Sequence, residues 1–211
     1  MVAVIDVVVP TRDDAATLGQ LLRELPSRVV RSVVVVDRAS TDRSAAIARD
    51  SGALVLYEQS GGYGAACLRA LAHFQALPRV PDVVVFVPGD RAAAASAVPE
   101  LVAPIVDRGV ELVLATEPGK RALREKLVTG LIETVYRHRW SGVGPVRAAK
   151  LPALVALGMR DRGDGWDVEM LVRAVKLGLS CDEVAVAGAQ PSARRVGARE
   201  LFHILRHATM R

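Results

Sequence analysis

The chain has 211 residues, of which 51% are hydrophobic and only 4% aromatic, and its 28 Lys and Arg outnumber its 23 Asp and Glu to give a net charge of +5. This composition fits one globular domain with a large aliphatic core and excludes a disordered or fibrous chain. Three Tyr, three Phe and two Trp are too few for a row of base-stacking side chains. We therefore expect no nucleic-acid partner despite the basic charge.

The positive charge is concentrated in the second half of the chain. Residues 1–119 carry 11 Lys and Arg against 14 Asp and Glu, whereas residues 120–211 carry 17 against 9. Cys67 and Cys181 form no CxxC pair, which indicates neither a zinc ribbon nor a disulfide framework and fits a reducing compartment. We therefore expect a cytoplasmic protein. Because the apolar runs are far shorter than the roughly 20 residues of a membrane span, any contact with the inner membrane face would be peripheral.

Five short apolar runs recur along the first half, with helical patterns between them. The runs cover residues 4–9, 33–36, 54–56, 83–87 and 112–114. Apart from Asp6 they are apolar at every position rather than at alternate ones, which is typical of strands in a parallel sheet covered by helices on both faces. Helices are predicted over residues 17–25, 40–48 and 64–77, the first and the last ending at a proline. The alternation predicts an α/β fold.

The second half has a different pattern. We predict a long helix from about residue 121 to 137, a Gly/Pro turn and a short extended segment over 146–150. A helix over 168–177 and an extended segment over 181–186 then precede a basic tail. Since neither a linker nor an internal repeat interrupts the chain, a single domain over residues 1–211 is the simplest organisation.

Polar residues follow four of the predicted strands. They lie at 10–14, 37–42, 60–64 and 88–90. In open α/β sheets ligands bind beyond the carboxyl ends of the strands, and we therefore expect these four segments to form one site.

The order of these motifs resembles glycosyltransferase family 2, in particular the small bacterial proteins similar to dolichyl-phosphate mannose synthase. The matching segments are VVVPTRDD, VVVVDRASTD, GGYGAA, VVVFVPGD and the block from GPVRAAK to GWDVEM. The resemblance implies a GT-A nucleotide-diphospho-sugar transferase fold, a mainly parallel sheet flanked by helices. It divides the domain into a nucleotide-sugar-binding half, about 1–119, and an acceptor half, about 120–211, with a basic C-terminal tail.

The resemblance implies an enzyme that transfers a sugar from a nucleoside-diphosphate sugar to an acceptor. Mg²⁺ or Mn²⁺ would neutralise the leaving diphosphate, with Asp90 as the metal ligand. The acceptor would be polyprenyl phosphate, which would bring the protein to a membrane surface, or a small molecule. The donor-binding positions carried over from the family are Pro10, Asp14, Asp37, Gly64 and Asp90.

Further residues are carried over on the acceptor side. Glu169 matches the family's acceptor-side carboxylate and is the candidate catalytic base, with Asp167 as its competitor. Arg147 and, more loosely, Arg194 and Arg195 match basic positions that would bind phosphate, for which the planar guanidinium is well suited.

The chain also departs from the family pattern at its polar positions. Arg38 and Ala39 replace the second Asp and the Gly of Asp-Asp-Gly-Ser, Pro88 replaces the first Asp of Asp-x-Asp, and Gly142 replaces an Asp. These losses support a second hypothesis, a catalytically impaired paralogue that acts as a binding or partner scaffold. A nucleotidyltransferase is a weaker third hypothesis, because the first loop lacks the glycines that this class requires. A homo-oligomer is compatible with the sequence, which leaves the oligomeric state open.

Simpler structural roles remain open for the same residues. Asp37 could cap the following helix, although Ser40 or Asp42 would serve equally well. Glu169 could be a first-turn partner of the helix dipole. The glycines before Gly64 are most simply a turn that enters a helix, with phosphate binding as the alternative.

Overall fold

The computed structural model describes residues 3–117 and 123–189. In this part of the chain seven strands form a single sheet. The strands are β1 (Ile5–Thr11), β2 (Ser32–Asp37), β3 (Leu54–Tyr57), β4 (Val83–Phe86), β5 (Leu112–Thr116), β6 (Arg147–Lys150) and β7 (Cys181–Ala185). Both halves of the chain contribute strands to this sheet.

The strand order is β3-β2-β1-β4-β6-β5-β7. Strand β6 runs antiparallel to both of its neighbours, β4 and β5, while every other pair in the sheet is parallel. The predicted α/β fold with a mainly parallel sheet is therefore confirmed. Because β6 is reversed, its first residue, Arg147, lies at the same edge of the sheet as the last residues of β1, β2 and β4.

Helices cover both faces of the sheet, as the continuous apolar strands predict. They are α1 (Ala15–Glu24), α2 (Ser44–Asp50), α3 (Tyr63–Gln75), α4 (Val98–Arg108), α5 (Leu123–Tyr136), α6 (Leu151–Leu157) and α7 (Trp166–Leu177), together with a 3₁₀-helix over Ala92–Ala97. None of these described helices is long and apolar enough to cross a membrane.

Strand β1 shows why the apolar runs are continuous. All seven of its residues are buried. Val7 and Val9 pack into the core cluster beneath α1 and α4, whereas Val8 packs into the cluster on the opposite face, with Phe74 of α3 and Trp166 of α7. Successive strand residues point to opposite faces, and β1 is therefore apolar from Val7 to Pro10, while its two buried polar residues, Asp6 and Thr11, bond to Arg31 and Asp14.

The element boundaries differ from the predicted ones in the second half. Helix α7 begins at Trp166, two residues before the predicted start, and the extended segment at residue 147 is followed directly by α6, which the sequence did not indicate. Pro152 lies in the first turn of α6, a position where its missing N–H has no partner to lose.

Candidate active site at the carboxyl edge of the sheet

The loops after β1 and β2 are bound to each other by hydrogen bonds. The backbone N–H and hydroxyl of Thr41 donate to Asp13 Oδ1 at 2.7 and 3.1 Å, and the N–H of Asp13 donates to Ser40 Oγ at 3.0 Å. The Thr41 N–H lowers the pKa of Asp13, whose backbone has a positive φ of 55°. Two of the four predicted polar segments therefore form one structural unit.

The loop after β4 packs directly against the loop after β1. The N–H of Gly89 donates to the carbonyl of Pro10 at 3.0 Å, and the hydroxyl of Thr11 donates to Asp14 Oδ2 at 2.7 Å. A methyl group at Gly89 would lie 2.6 Å from both the Thr11 hydroxyl and Asp14 Oδ2. Only a glycine permits this approach, which places Asp90 beside the end of β1.

Asp14 and Asp90 are close enough to influence each other electrostatically. Burial raises the pKa of Asp14, while hydrogen bonds from Thr11 and Arg12 oppose this shift and the negative charge of Asp90 adds to it. The Asp90 carboxylate is 41% exposed and lies 3.4 Å from the guanidinium of its neighbour Arg91. The structure thus brings Pro10, Asp14 and Asp90 together at the ligand edge.

Asp37 lies at the end of β2, and only one of its two carboxylate oxygens accepts a hydrogen bond from the described residues. The residue is 3% exposed. Its Oδ2 accepts a long hydrogen bond of 3.4 Å from the N–H of Ser40, and its Oδ1 is buried without a hydrogen-bond partner among the described residues. A buried polar atom without a partner is costly and is common where a ligand supplies the missing bond.

The capping alternative for Asp37 does not match the geometry. Helix α2 begins at Ser44, and it is Asp42 whose Oδ1 accepts the N–H of Ser44 at 2.8 Å, while Asp42 Oδ2 accepts the N–H of Ala15 at 2.9 Å. Asp42 therefore accepts hydrogen bonds at the starts of both α1 and α2, whereas the buried Oδ1 of Asp37 accepts none from the described residues.

The described residues offer a divalent cation few ligands. Among them, no three His, Cys, Asp or Glu side chains are grouped so as to hold a metal ion. Mg²⁺ needs no such cage, because it commonly keeps several waters and binds one or two carboxylates together with substrate phosphates. The partly exposed Asp90 fits a cation that arrives with a diphosphate.

The glycines around Gly64 form the turn that enters α3, the simpler of the two roles considered from the sequence. The N–H groups of Gly64 and Ala65 donate to the carbonyls of Gly163 and Arg162, each at 3.0 Å. A methyl group at Gly64 would lie 2.1 Å from the carbonyl oxygen of Asp161. The start of α3 is thus covered by another loop of the same chain, and the predicted donor contact of Gly64 does not fit this arrangement.

Glu169 is similarly occupied. It is 1% exposed, and its carboxylate accepts the N–H groups of Arg160 and Asp161, the latter at 2.7 Å. The Nε of Arg173, one turn further along α7, donates to Oε1 at 2.8 Å. A base needs a free lone pair facing the substrate, and these bonds therefore favour a structural role over the predicted catalytic one.

Arg147 and Asp167 form a buried ion pair. Arg147 Nη2 lies 3.0 Å from Asp167 Oδ1, and the two side chains are 1% and 14% exposed. The guanidinium also donates to the carbonyls of Asp167 and Gly144. A phosphate cannot reach this guanidinium in the observed conformation, so the predicted phosphate contact of Arg147 does not fit. Arg194 and Arg195 lie outside the described residues.

Glu125 is a polar residue at this edge that the sequence did not single out. It is 7% exposed, its Oε1 accepts the N–H of Val143 at 3.0 Å, and a methyl group at Gly142 would lie 2.8 Å from the same oxygen. Gly142, where the family has an Asp, thus makes room for a carboxylate from α5. The only feature that could have indicated Glu125 is its place as an acid in the first turn of α5.

Comparison with known proteins places this site in a family. The model for "Glycosyl transferase family 2" matches residues 6–126. An uncharacterized glycosyltransferase of Mycobacterium tuberculosis strain H37Rv is 29% identical over 191 residues, which cover 87% of this chain and 84% of the relative.

Solved structures share the fold. The crystal structure of glucosyl-3-phosphoglycerate synthase from Mycobacterium tuberculosis in complex with phosphoglyceric acid superimposes with a TM-score of 0.82 at 23% identity and covers 99% of this chain and 81% of that one. The same enzyme in complex with Mn²⁺, UDP-glucose and phosphoglyceric acid gives a TM-score of 0.79 at 23% identity, with the same coverage. Over half of this chain matches the family model, and the chain therefore belongs to glycosyl transferase family 2 and has the GT-A fold.

Proposed function

We propose that this glycosyltransferase binds a nucleoside-diphosphate sugar at the edge formed by Pro10, Asp14, Asp37 and Asp90 and transfers the sugar to a small phosphorylated acceptor. The observation that carries the donor site is the buried Oδ1 of Asp37, which has no hydrogen-bond partner in the part of the chain that the structure describes; the partly exposed Asp90 lies at the same edge of the sheet. A nucleoside has hydroxyl and N–H donors that would satisfy the first carboxylate. The diphosphate and its cation would bind beside the carboxylate of Asp90.

A uridine donor is the first to test. The similarly folded synthase is known in complex with UDP and Mg²⁺ and with UDP-glucose and Mn²⁺. In this chain Asp90 would hold the cation. When bound, Mg²⁺ or Mn²⁺ would supply positive charge that stabilises the departing diphosphate.

One observation supports a small acidic acceptor over polyprenyl phosphate: the synthase with the same fold binds phosphoglyceric acid. Arg147, which matches a position that would bind phosphate on a lipid acceptor or on the donor, is buried against Asp167 and is available to neither. In the transfer, an acceptor hydroxyl oxygen forms the new bond to the anomeric carbon, the bond from that carbon to the diphosphate breaks, and the hydroxyl proton passes to a base. Of the two predicted bases, Asp167 pairs with Arg147 through Oδ1 but is 14% exposed against 1% for Glu169, and it is the one we propose.

Calorimetry with UDP, GDP and UDP-glucose, each with and without Mn²⁺, tests the donor site. We expect Mn²⁺-dependent binding of a uridine nucleotide that weakens roughly tenfold or more in Asp90→Asn and in Asp37→Asn, because each variant loses a charge-assisted contact. Asp107→Asn, an exposed acid at the end of α4, is the matched control and should bind as the parent chain does. Binding that is equal in all of these variants would contradict the site.

The acceptor is tested by nucleoside-diphosphate release from the donor that binds. Parallel reactions contain phosphoglyceric acid or a short-chain polyprenyl phosphate. Release with the first alone supports the small acceptor, whereas release with the second alone restores the lipid acceptor predicted from the resemblance.

The second candidate function is a non-catalytic scaffold that binds a nucleotide or a partner. It is favoured by the hydrogen bonds that Glu169 accepts from the N–H groups of Arg160 and Asp161 and from Arg173 of its own helix. Nucleotide binding without release of product from any donor and acceptor pair would support it. Turnover of any pair would exclude it.

A further inference from the structure

The buried carboxylate of Glu169 holds a loop rather than facing a cavity. Its Oε2 accepts the N–H groups of Arg160 and Asp161 at 3.0 and 2.7 Å, and its Oε1 accepts the Nε of Arg173 at 2.8 Å. Arg173 adds a second tie, since its Nη1 donates to the carbonyl of Leu157 at 3.0 Å. The ion pair between Glu169 and Arg173 of α7 therefore holds the backbone of the segment 158–165 in place.

The same segment, which we call the 158–165 loop, reaches across to the loop that follows β3. Its carbonyls at Arg162 and Gly163 accept the first N–H groups of α3. Arg162 Nη2 lies 3.7 Å from Glu58 Oε2, and Glu58 Oε1 in turn accepts the N–H of Ser60 at 3.2 Å. The acceptor half is thus clamped onto the donor half at the carboxyl edge of the sheet.

The loop presents two arginines at this edge, together with the exposed Asp164 and the buried Asp161, so that its formal charge is zero. Arg160 is exposed, and the side chain of Arg162 is 61% exposed although it contacts Glu58. Exposed guanidiniums beside a ligand site are suited to phosphate, whose oxygens match their planar donor fork. Their positions depend on a backbone whose N–H groups at 160 and 161 are held by Glu169.

We propose that Glu169 is a positioning residue for the 158–165 loop and that this loop, through Arg160 and Arg162, binds a phosphate-bearing part of the substrate. The inference rests on the proposed function, because it assumes that a nucleoside-diphosphate sugar or a phosphorylated acceptor occupies the neighbouring edge. The proposal gives Glu169 a role in substrate binding instead of one in proton transfer. The two roles predict different effects on KM and kcat.

The test uses the full chain and compares Glu169→Gln and Arg173→Leu with Glu133→Gln, an exposed acid of α5. Glutamine keeps the shape of glutamate but places an NH₂ group against donors, so the loop should be released. We expect the KM for donor or acceptor to rise roughly tenfold in both variants, while kcat at saturation and its pH profile change little. Arg173→Lys, which keeps a cationic donor, should restore most of the affinity.

A double variant, Arg160→Ala with Arg162→Ala, tests the anion contact. It should reproduce the rise in KM, and adding Glu169→Gln to it should raise KM little further, because the two changes remove the same interaction. Amide hydrogen exchange should increase over residues 158–165 in Glu169→Gln and Arg173→Leu but stay unchanged in Glu133→Gln.

Three results would overturn the proposal. The first is a loss of kcat in Glu169→Gln at unchanged KM, with Arg173→Leu fully active, which would make Glu169 the base. The second is unaltered binding of UDP and of phosphoglyceric acid in every loop variant while the parent chain binds them. The third is a parent chain that binds neither compound, which contradicts the proposed function as well.

Discussion

The hydroxyl of Thr17 donates to the carbonyl oxygen of Gly89 at 2.8 Å, and this bond ties the first turn of α1 to the loop that carries Asp90. The donor and acceptor are 72 residues apart in the chain. The hydrogen bond from Thr17 therefore helps to fix the loop that carries Asp90, together with the bond from the Gly89 N–H to the Pro10 carbonyl.

Replacement of Thr17 by Val should weaken both the fold and the binding of Mn²⁺ with nucleotide. The change removes one hydrogen bond at nearly constant volume, at a cost of about 1 kcal/mol in the free energy of unfolding. Thr134→Val is the control, since its hydroxyl donates to the carbonyl of Gly130 within α5, also at 2.8 Å. Urea unfolding and calorimetry check the prediction, which fails if both variants lose nucleotide affinity equally.

Gly89→Ala should be strongly destabilising, because the added methyl group would lie 2.6 Å from Thr11 and Asp14. Overpacking of this kind costs about 1 to 3 kcal/mol. Gly130→Ala makes the same chemical change inside α5, where nothing in the described part of the chain lies within 4 Å of the new methyl group. It should raise the free energy of unfolding by up to about 1 kcal/mol through helix propensity. Opposite shifts of the thermal midpoint are expected, and equal shifts would contradict the packing described for Gly89.

Asp14 should make the protein less stable as the pH rises. Burial raises its pKa above the ordinary value of 3.8, so the folded state holds the proton more tightly than the unfolded state. The stability from this group is present below the ordinary value and is lost as the pH rises through the raised pKa. Asp14→Asn should therefore gain stability relative to the parent chain over this window, measured by denaturant unfolding at several pH values.

Asp182 is a control for that experiment, because its contribution to the stability changes with pH in the opposite direction. A hydrogen bond from Arg108 holds the pKa of Asp182 below its ordinary value. Its contribution is present above the ordinary value and is lost as the pH falls through the lowered one. Asp182→Asn should thus lose stability relative to the parent chain near neutral pH and match it in acid, and a shared pH dependence of the two variants would refute the assignment.

Asp37→Asn should separate stability from binding. The variant removes a buried carboxylate oxygen that has no partner among the described residues, and the free energy of unfolding should be unchanged or higher, as expected for a residue kept for function. Nucleotide affinity should fall. Asp42→Ala removes the carboxylate that accepts the N–H groups of Ser44 and Ala15, so its thermal midpoint should drop. A lower midpoint in Asp37→Asn would show that Asp37 is structural.

Much of the fold could be predicted from local patterns. Strand β1 is buried at every position, and its run of consecutive valines from Val7 to Val9 therefore indicated a sheet covered on both faces. The end of α1 before Pro26 was predicted to within one residue, because proline cannot continue a helix. The segments after β1, β2 and β4 were expected to meet, since parallel strands present their carboxyl ends at one edge.

The roles of Gly64 and Glu169 could not be predicted in the same way. Both depend on the 158–165 loop, which returns to the start of α3 about one hundred residues after that helix has formed. A glycine that admits a phosphate and one that admits a carbonyl oxygen are identical in sequence. A carboxylate that removes a proton and one that accepts two backbone N–H groups are also identical until the distant loop is in place.

Strand β6 has a consequence for how the chain can be divided. It lies between β4 and β5 in the sheet, whereas the segment that matches the family model ends at residue 126, before β6 begins. A fragment cut there would keep every motif of the nucleotide-sugar half and yet leave β4 and β5 without the strand that joins them. The segment that carries the family signature is therefore shorter than the segment that completes the sheet.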